Sequence, residues 1–155
     1  MSAASPLEQA PETATRYEQD YLLWLTETAQ RLRSGQLSQI DIANLAEELE
    51  DMGRSEKRSV ESNLEVLLRH LLKYQYQPQR RSNSWLFTIL EHRDRIEKAF
   101  RDSPSLQPYY ISIFADSYAQ ARKKAAVETG IPIETFPAQS PFTPEDTLNP
   151  DFLPR

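Results

Sequence analysis

Helix breakers are the feature that most constrains this chain. Only three glycines occur, Gly35, Gly53 and Gly130, and of eleven prolines only Pro78, Pro104 and Pro108 fall between residues 12 and 131. Proline cannot sit inside a helix without removing a hydrogen bond and clashing with the preceding turn. Glycine closes helices because it enters the left-handed region without strain. Each glycine here stands where an apolar repeat stops, so all three read as residues just past a helix end.

Between these breakers apolar residues recur every three to four positions, the helical period. Five helices are expected. The first covers about residues 17–33, with Tyr17, Tyr21, Trp24, Leu25, Thr28 and Leu32 on one face. The second starts near Ser38 or Ile40, ends at Met52, and turns Ile42, Leu45, Ala46, Leu49 and Met52 inward. The third, about 55–76, carries Val60, Leu64, Leu67, Leu68, Leu71, Tyr74 and Gln75. Leu72 and Tyr76 widen its arc, which makes it the central helix. The fourth covers about 83–101, with Trp85, Ile89, Ile96, Ala99 and Phe100 inward. The fifth starts after Ser105, ends before Gly130, and has a small-residue stripe of Ser117, Ala121 and Ala125.

The C-terminal stretch "TGIPIETFPAQSPFTPEDTLNPDFLPR" is too rich in proline for one long helix and too apolar for a free tail. Thr143-Pro144-Glu145-Asp146 reads as an N-cap, a proline at the first helical position and acids near the positive helix end. The expected fold is therefore all-α: an up-and-down bundle of about five helices with an extended, proline-rich strap, residues 131–155, packed on it. Residues 1–15 read as a disordered tail and 16–155 as a single helical domain.

Length and composition narrow the class. A chain of 155 residues suits one domain and buries enough surface to need no staple. Cysteine is absent, which excludes disulfides, thiolate metal sites and cysteine nucleophiles. No apolar run approaches the ~20 residues that span a bilayer, and "MSAASPLEQAPETATR" lacks the apolar core of a signal peptide. A soluble, cytoplasmic protein without a membrane role is expected. The net charge of −5 is unevenly spread: −7 over residues 1–53, +6 over 54–124 and −4 over 125–155. A basic middle between acidic ends suits either an anion-binding face or segments that neutralise one another.

Two stretches and the two histidines carry side chains that could build a site. "NLAEELEDMGRSEKR" packs Glu47, Glu48, Glu50 and Asp51 into five positions. At about 100° per residue these carboxylates diverge: Glu47 and Asp51 point to water, and Glu48 and Glu50 flank the apolar face. They cannot aim at one metal ion, and Arg54 is the nearest cation for them. "KYQYQPQRRSNSW" crowds Lys73, Tyr76, Arg80, Arg81 and Trp85 around one turn, a combination that can grip phosphate and stack on a base or simply join two helices. The two histidines, His70 and His92, lack the Glu-x-x-His spacing of a di-iron bundle, and read as hydrogen-bonded structural residues. There is no Gly-x-Ser-x-Gly and no glycine-rich phosphate loop. No catalytic, cofactor-binding or metal-binding residue, and no cofactor, is expected.

The motifs "NLAEELEDMGRSEKR", "LLKYQYQPQRRSNSW", "DSPSL", "ETGI" and "TLNPDFLP", in this order and spacing, resemble the domain of unknown function family numbered 29, seen chiefly in cyanobacteria. The resemblance covers about residues 17–154 and implies an all-helical fold. It implies no established activity, so it carries over no catalytic residues. Ser140-Pro141 stands where a cysteine-proline step is expected in other members, which argues against a thiol role there. Members tend to occur in many copies per genome, a habit that suits an accessory or regulatory element.

The functional expectation is a non-enzymatic binding or regulatory module that engages a protein partner. The alternative is an RNA- or DNA-interacting protein, such as a toxin-antitoxin or nuclease-type component. Glu48, Glu50, Arg54, Tyr76, Arg80, Arg81 and Trp85 form the expected polar joint or binding surface.

Overall fold

The computed structural model describes residues 12–155, with side chains from Arg16 onward. The expectation of a disordered tail over residues 1–11 falls outside the described residues. Six helices are present among the described residues: α1 (Glu12–Gln19), α2 (Tyr21–Arg33), α3 (Ile42–Tyr76), α4 (Asn83–Asp102), α5 (Leu106–Thr129) and α6 (Pro144–Leu148). Short 3₁₀ turns lie at Leu37–Gln39, Pro78–Arg80 and Ile133–Thr135. No strand occurs among the described residues, so the fold is all-α as expected. The chain packs as two compact units, one ending at Arg54 and one running from Ser55 to Arg155.

The helix boundaries differ from the sequence reading in two places. The expected first helix is split at Asp20, whose backbone leaves the helical region (φ −146°) while its carboxylate accepts from the Leu23 amide at 3.0 Å. A short acceptor that can bond the backbone two or three residues on favours a cap over a helix interior. A further helix, α1, thus begins within the segment assigned to the tail. The expected second and third helices are one. Gly53 is not a helix end but an interior residue of the 35-residue α3, and its φ is not positive. Glycine in a helix interior costs only about 1 kcal/mol, which the packing of the rest of α3 offsets.

In the first unit, α2 packs on α1, and Trp24 and Thr28 are the buried side chains among its described residues. Ser34 ends α2, followed by Gly35 in the left-handed conformation (φ 74°).

The second unit is a helical bundle. The connections α3–α4 and α4–α5 are short, which makes sequential neighbours antiparallel. Val60, Leu64, Leu67, Leu68, Leu71 and Leu72 of α3 pack with Ile89, Ile96 and Phe100 of α4 and with Leu106, Tyr110, Phe114, Tyr118, Ala121 and Ala125 of α5. The small stripe Ser117-Ala121-Ala125 is buried as its spacing predicts. Ser82 caps α4 by accepting from the Trp85 amide, and Gly130 (φ 72°) closes α5.

The strap follows. Phe136 and Phe142 are buried in the core, and Ile131, Leu148 and Phe152 pack against it, whereas Leu153 stays exposed. Thr143 caps α6 through the Asp146 amide at 3.0 Å, with Pro144 at its first position.

The two glycine environments give opposite outcomes. A Cβ at Gly53 meets nothing within 4 Å on a right-handed helix, whereas Gly130 holds a positive φ. Gly53→Ala should raise stability by about 0.5–1 kcal/mol, and Gly130→Ala should lower it by about 1 kcal/mol or more. Urea denaturation of the two variants checks both signs.

Candidate binding surfaces

Glu48 is the focus of the first unit. The Tyr17 hydroxyl donates to its Oε1 at 2.5 Å, and the Tyr21 hydroxyl donates to its Oε2. One carboxylate thereby ties α1 and α2 to the start of α3. Ionising either phenol would set a second negative charge beside Glu48. The hydrogen bond to Glu48, then desolvation, push Tyr17 up to about 12, and Tyr21 moves in the same direction for the same reasons. The rings of Tyr17 and Trp24 meet edge to face at 4.9 Å. Glu50 lies 3.8 Å from Arg54, which also pairs with Glu47 at 3.1 Å and with Asp51. All three pairs are exposed, so they screen charge more than they hold structure.

The expected inward face of residues 38–52 is not inward. Ile42, Leu49 and Met52 are 69%, 61% and 65% exposed, and Leu22 on α2 is 73% exposed. Leu25, Leu32 and Leu37 are exposed as well. The side chains of α3 that are half-covered here are instead Asn44, Leu45 and Glu48. The reason is the tyrosine clasp: hydrogen bonds to both Glu48 oxygens turn that edge of the helix toward α1 and α2, and the apolar edge beside it is left bare. The sequence shows a stripe but not which line of the helix the neighbouring element covers.

In the second unit the aromatic-basic turn is largely committed to structure. Lys73 is buried, bonds Glu128 at 2.6 Å and stands 4.7 Å from the Trp85 ring centroid. Arg69 bonds the other Glu128 oxygen at 3.4 Å. Burial raises the Glu128 carboxyl, but the Lys73 hydrogen bond and the Lys73, Arg69 and His70 charges outweigh it and hold its pKa below the usual value. Tyr76 packs edge to face on Phe136 at 5.0 Å. Arg81 donates to the Tyr74 carbonyl at 2.8 Å and stacks 4.1 Å over the Tyr74 ring. Arg80 and Arg81 are both exposed.

Both histidines direct Nδ1 at a carbonyl one turn back, His70 at Val66 and His92 at Thr88, each at 2.8 Å. A carbonyl only accepts, so Nδ1 carries the proton. Desolvation lowers His70 further, and the nearby Lys73 and Arg69 charges add to it. Among the described residues no three His, Cys, Asp or Glu side chains stand together to hold a metal ion.

The sequence reading missed one group of residues altogether. Arg93, only 4% exposed, occupies an inward position of α4, one residue after the half-covered His92. Its Nε donates to the Thr147 carbonyl and its Nη2 to the Phe152 carbonyl, each at 2.8 Å. Desolvation lowers its pKa. Tyr110 donates to Pro144 O at 2.8 Å, Tyr118 to Pro137 O at 2.6 Å, and Arg122 to Phe136 O at 3.0 Å. Burial pushes the Tyr118 phenol up to about 12 and raises Tyr110 as well. The only signal in the sequence was an arginine in register with Ile89, Ile96 and Phe100, at a position where a charge is normally excluded.

A family model for domain of unknown function DUF29 matches residues 16–153. The chain belongs to the DUF29 family. No curated protein and no solved structure matches it. The matched span takes in residues of both compact units and reaches the end of the strap, so the tyrosine clasp and the Arg93 clamp of this DUF29 chain both lie within it.

Two outcomes follow from these sites. Arg93→Ala should lower stability by about 2–4 kcal/mol, from lost packing and two carbonyls left without donors, and should make residues 131–155 an early target in limited proteolysis. Arg93→Lys should restore less than half, because an ammonium cannot fork to two carbonyls. The second outcome concerns acid. A lowered His70 favours its neutral form, so its contribution is complete above the unfolded pKa of 6.5 and is lost as pH falls through the folded value. Glu128, also lowered, contributes above 4.5 and loses that contribution at lower pH. Urea midpoints should therefore fall in two stages between pH 7 and 3. His70→Gln should flatten the upper stage and Glu128→Gln the lower one.

Proposed function

We propose that this DUF29 chain is a non-enzymatic binding or regulatory module that engages a protein partner through the first unit. The observation that carries this reading is the bare apolar edge formed by Leu22, Leu25, Leu32, Ile42, Leu49 and Met52. Exposed apolar residues scattered singly need no explanation, but a contiguous set on two adjoining helices marks an interaction site. The polar residues around it, Glu47, Glu50, Asp51 and Arg54, form the charged rim such a surface needs to stay soluble when free. No group of side chains among the described residues converges as a nucleophile, base and electrostatic stabiliser would, which supports a binding role over a catalytic one.

The alternative, an RNA- or DNA-interacting protein, has one observation in its favour: Arg80 and Arg81 are exposed on the turn between α3 and α4. It is weakened by Lys73, which Glu128 neutralises, and by Tyr76 and Trp85, whose faces are taken by Phe136 and Lys73.

Affinity purification from the native cell separates the readings. The protein-binding reading expects a stoichiometric partner that is lost with Leu49→Lys and kept with the double variant Arg80→Ala/Arg81→Ala. Recovery of nucleic acid instead, weakening steeply with salt and abolished by the double arginine variant, would overturn it.

A further inference from the structure

The bare face has a definite pattern. On α2 the residues Leu22, Leu25, Ala29 and Leu32 are spaced three, four and three apart, and on α3 Ile42, Leu45, Leu49 and Met52 repeat the same spacing. This is the a/d repeat of a helix packed along its length against another helix. Both helices already use a different line to meet each other. Trp24 and Thr28 are the buried side chains of α2, and Asn44, Leu45 and Glu48 are the half-covered ones over the first turns of α3. In each helix the apolar stripe follows that line by one residue: Leu25 after Trp24 and Leu49 after Glu48 are exposed, and Ala29 after Thr28 and Leu45 after Asn44 are half-covered at the edge between the two lines. One residue is a turn of about 100° in a fixed sense.

The two helices run antiparallel, since Glu48 bonds Tyr21 at the start of α2 while Arg31 near its end bonds the Gln39 carbonyl. Equal rotations in the same sense on antiparallel helices bring both stripes to the same side. The hairpin therefore presents a two-helix apolar layer, closed on one line and open on the next.

Such a layer has half of the core of a four-helix bundle. We infer that a second copy of this chain supplies the other half, the two hairpins stacking face to face with opposite direction. This rests on the reading of the same face as a protein-binding surface, and it names the partner. Three observations support it. The a/d spacing is matched by the same spacing on a copy, and a two-fold contact is self-complementary by construction. The six large apolar side chains expose on the order of 600 Å², the upper end of what a monomer leaves bare and near the ~800 Å² each partner gives to a standard interface.

The charges also choose the direction. The turn end of α2 carries Arg31 and Arg33, and the other end of the hairpin carries Glu18, Asp20, Glu47, Glu50 and Asp51 beside Arg54. With the copies running in opposite directions, Arg33 approaches Glu18 and Asp20 of the second copy. With the same direction, acidic end would face acidic end.

The test uses the full purified chain in sedimentation equilibrium up to about 1 mM, where even a weak contact registers. The expected mass is twice 17.9 kDa. Leu49→Lys should weaken association at least 100-fold with helicity unchanged, since Leu49 is exposed and its removal leaves each hairpin folded. Arg33→Glu should weaken it about tenfold, and Arg33→Glu combined with Glu18→Arg should restore it. A chain that stays at 17.9 kDa throughout, or a dimer indifferent to Leu49→Lys, overturns self-association. If that monomer still binds a different protein in a Leu49-dependent way, the binding-module reading stands without this one. If it binds none, both fall.

Discussion

A proline-rich segment without a ladder has carbonyls that nothing in its own backbone can satisfy, and the second unit is arranged around that constraint. Residues 131–155 form no strand and only one short helix. Buried backbone acceptors must find donors, and here α4 and α5 provide them as side chains: Arg122 to Phe136, Tyr118 to Pro137, Tyr110 to Pro144, and Arg93 to both Thr147 and Phe152. Arg93 is the least expected of the four because its charge is nearly buried and its two acceptors are neutral carbonyls. One of them, Thr147 O, belongs to α6, near that helix's negative end, which suits a cation. Fixed in this way, the strap can insert Phe136 and Phe142 into the core as a packed layer.

Part of the charge in the second unit is taken up between its own helices. The basic excess of residues 54–124 reads from sequence as a face for an anion. In the fold Glu128 takes up Lys73 and Arg69, and Glu65 pairs with Lys124 at 3.5 Å and lies 3.8 Å from Arg69. Acidic and basic positions 55–59 residues apart thus neutralise across α3 and α5. Lys73 also lies against Trp85, so the pairing that could have gripped a phosphate and a base holds two helices together instead.

How much of this was legible depends on how local its cause is. The all-α class, the Gly35 and Gly130 helix ends, the Thr143 cap and the Ser117-Ala121-Ala125 stripe all follow from residues within one or two turns of each other. The misread boundaries have the same scale. Asp20 looks like an exposed helix residue until its carboxylate is seen to cap Leu23, and Gly53 looks like a helix end although a right-handed glycine differs from a left-handed one only in geometry. The divergence of Glu47, Glu48, Glu50 and Asp51 was legible from the helical repeat, and so was Arg54 as a local cation. Arg93, Tyr110, Tyr118 and Arg122 were not, because their acceptors are main-chain atoms that carry no signature in the sequence.

By itself the sequence determined that this chain is helical, where most of its helices stop, and that apolar stripes run along each of them, because period and breaker are properties of neighbouring residues. Only the tertiary structure decided which stripes are covered. Val60, Leu64, Leu67 and Leu71 are buried against α4 and α5, while Ile42, Leu49 and Met52, equally apolar and equally spaced, stand in water because two tyrosine hydroxyls reach Glu48 on the adjacent edge. A helix has several lines on which it can be met, and the choice among them is made by the residues that arrive from elsewhere in the chain.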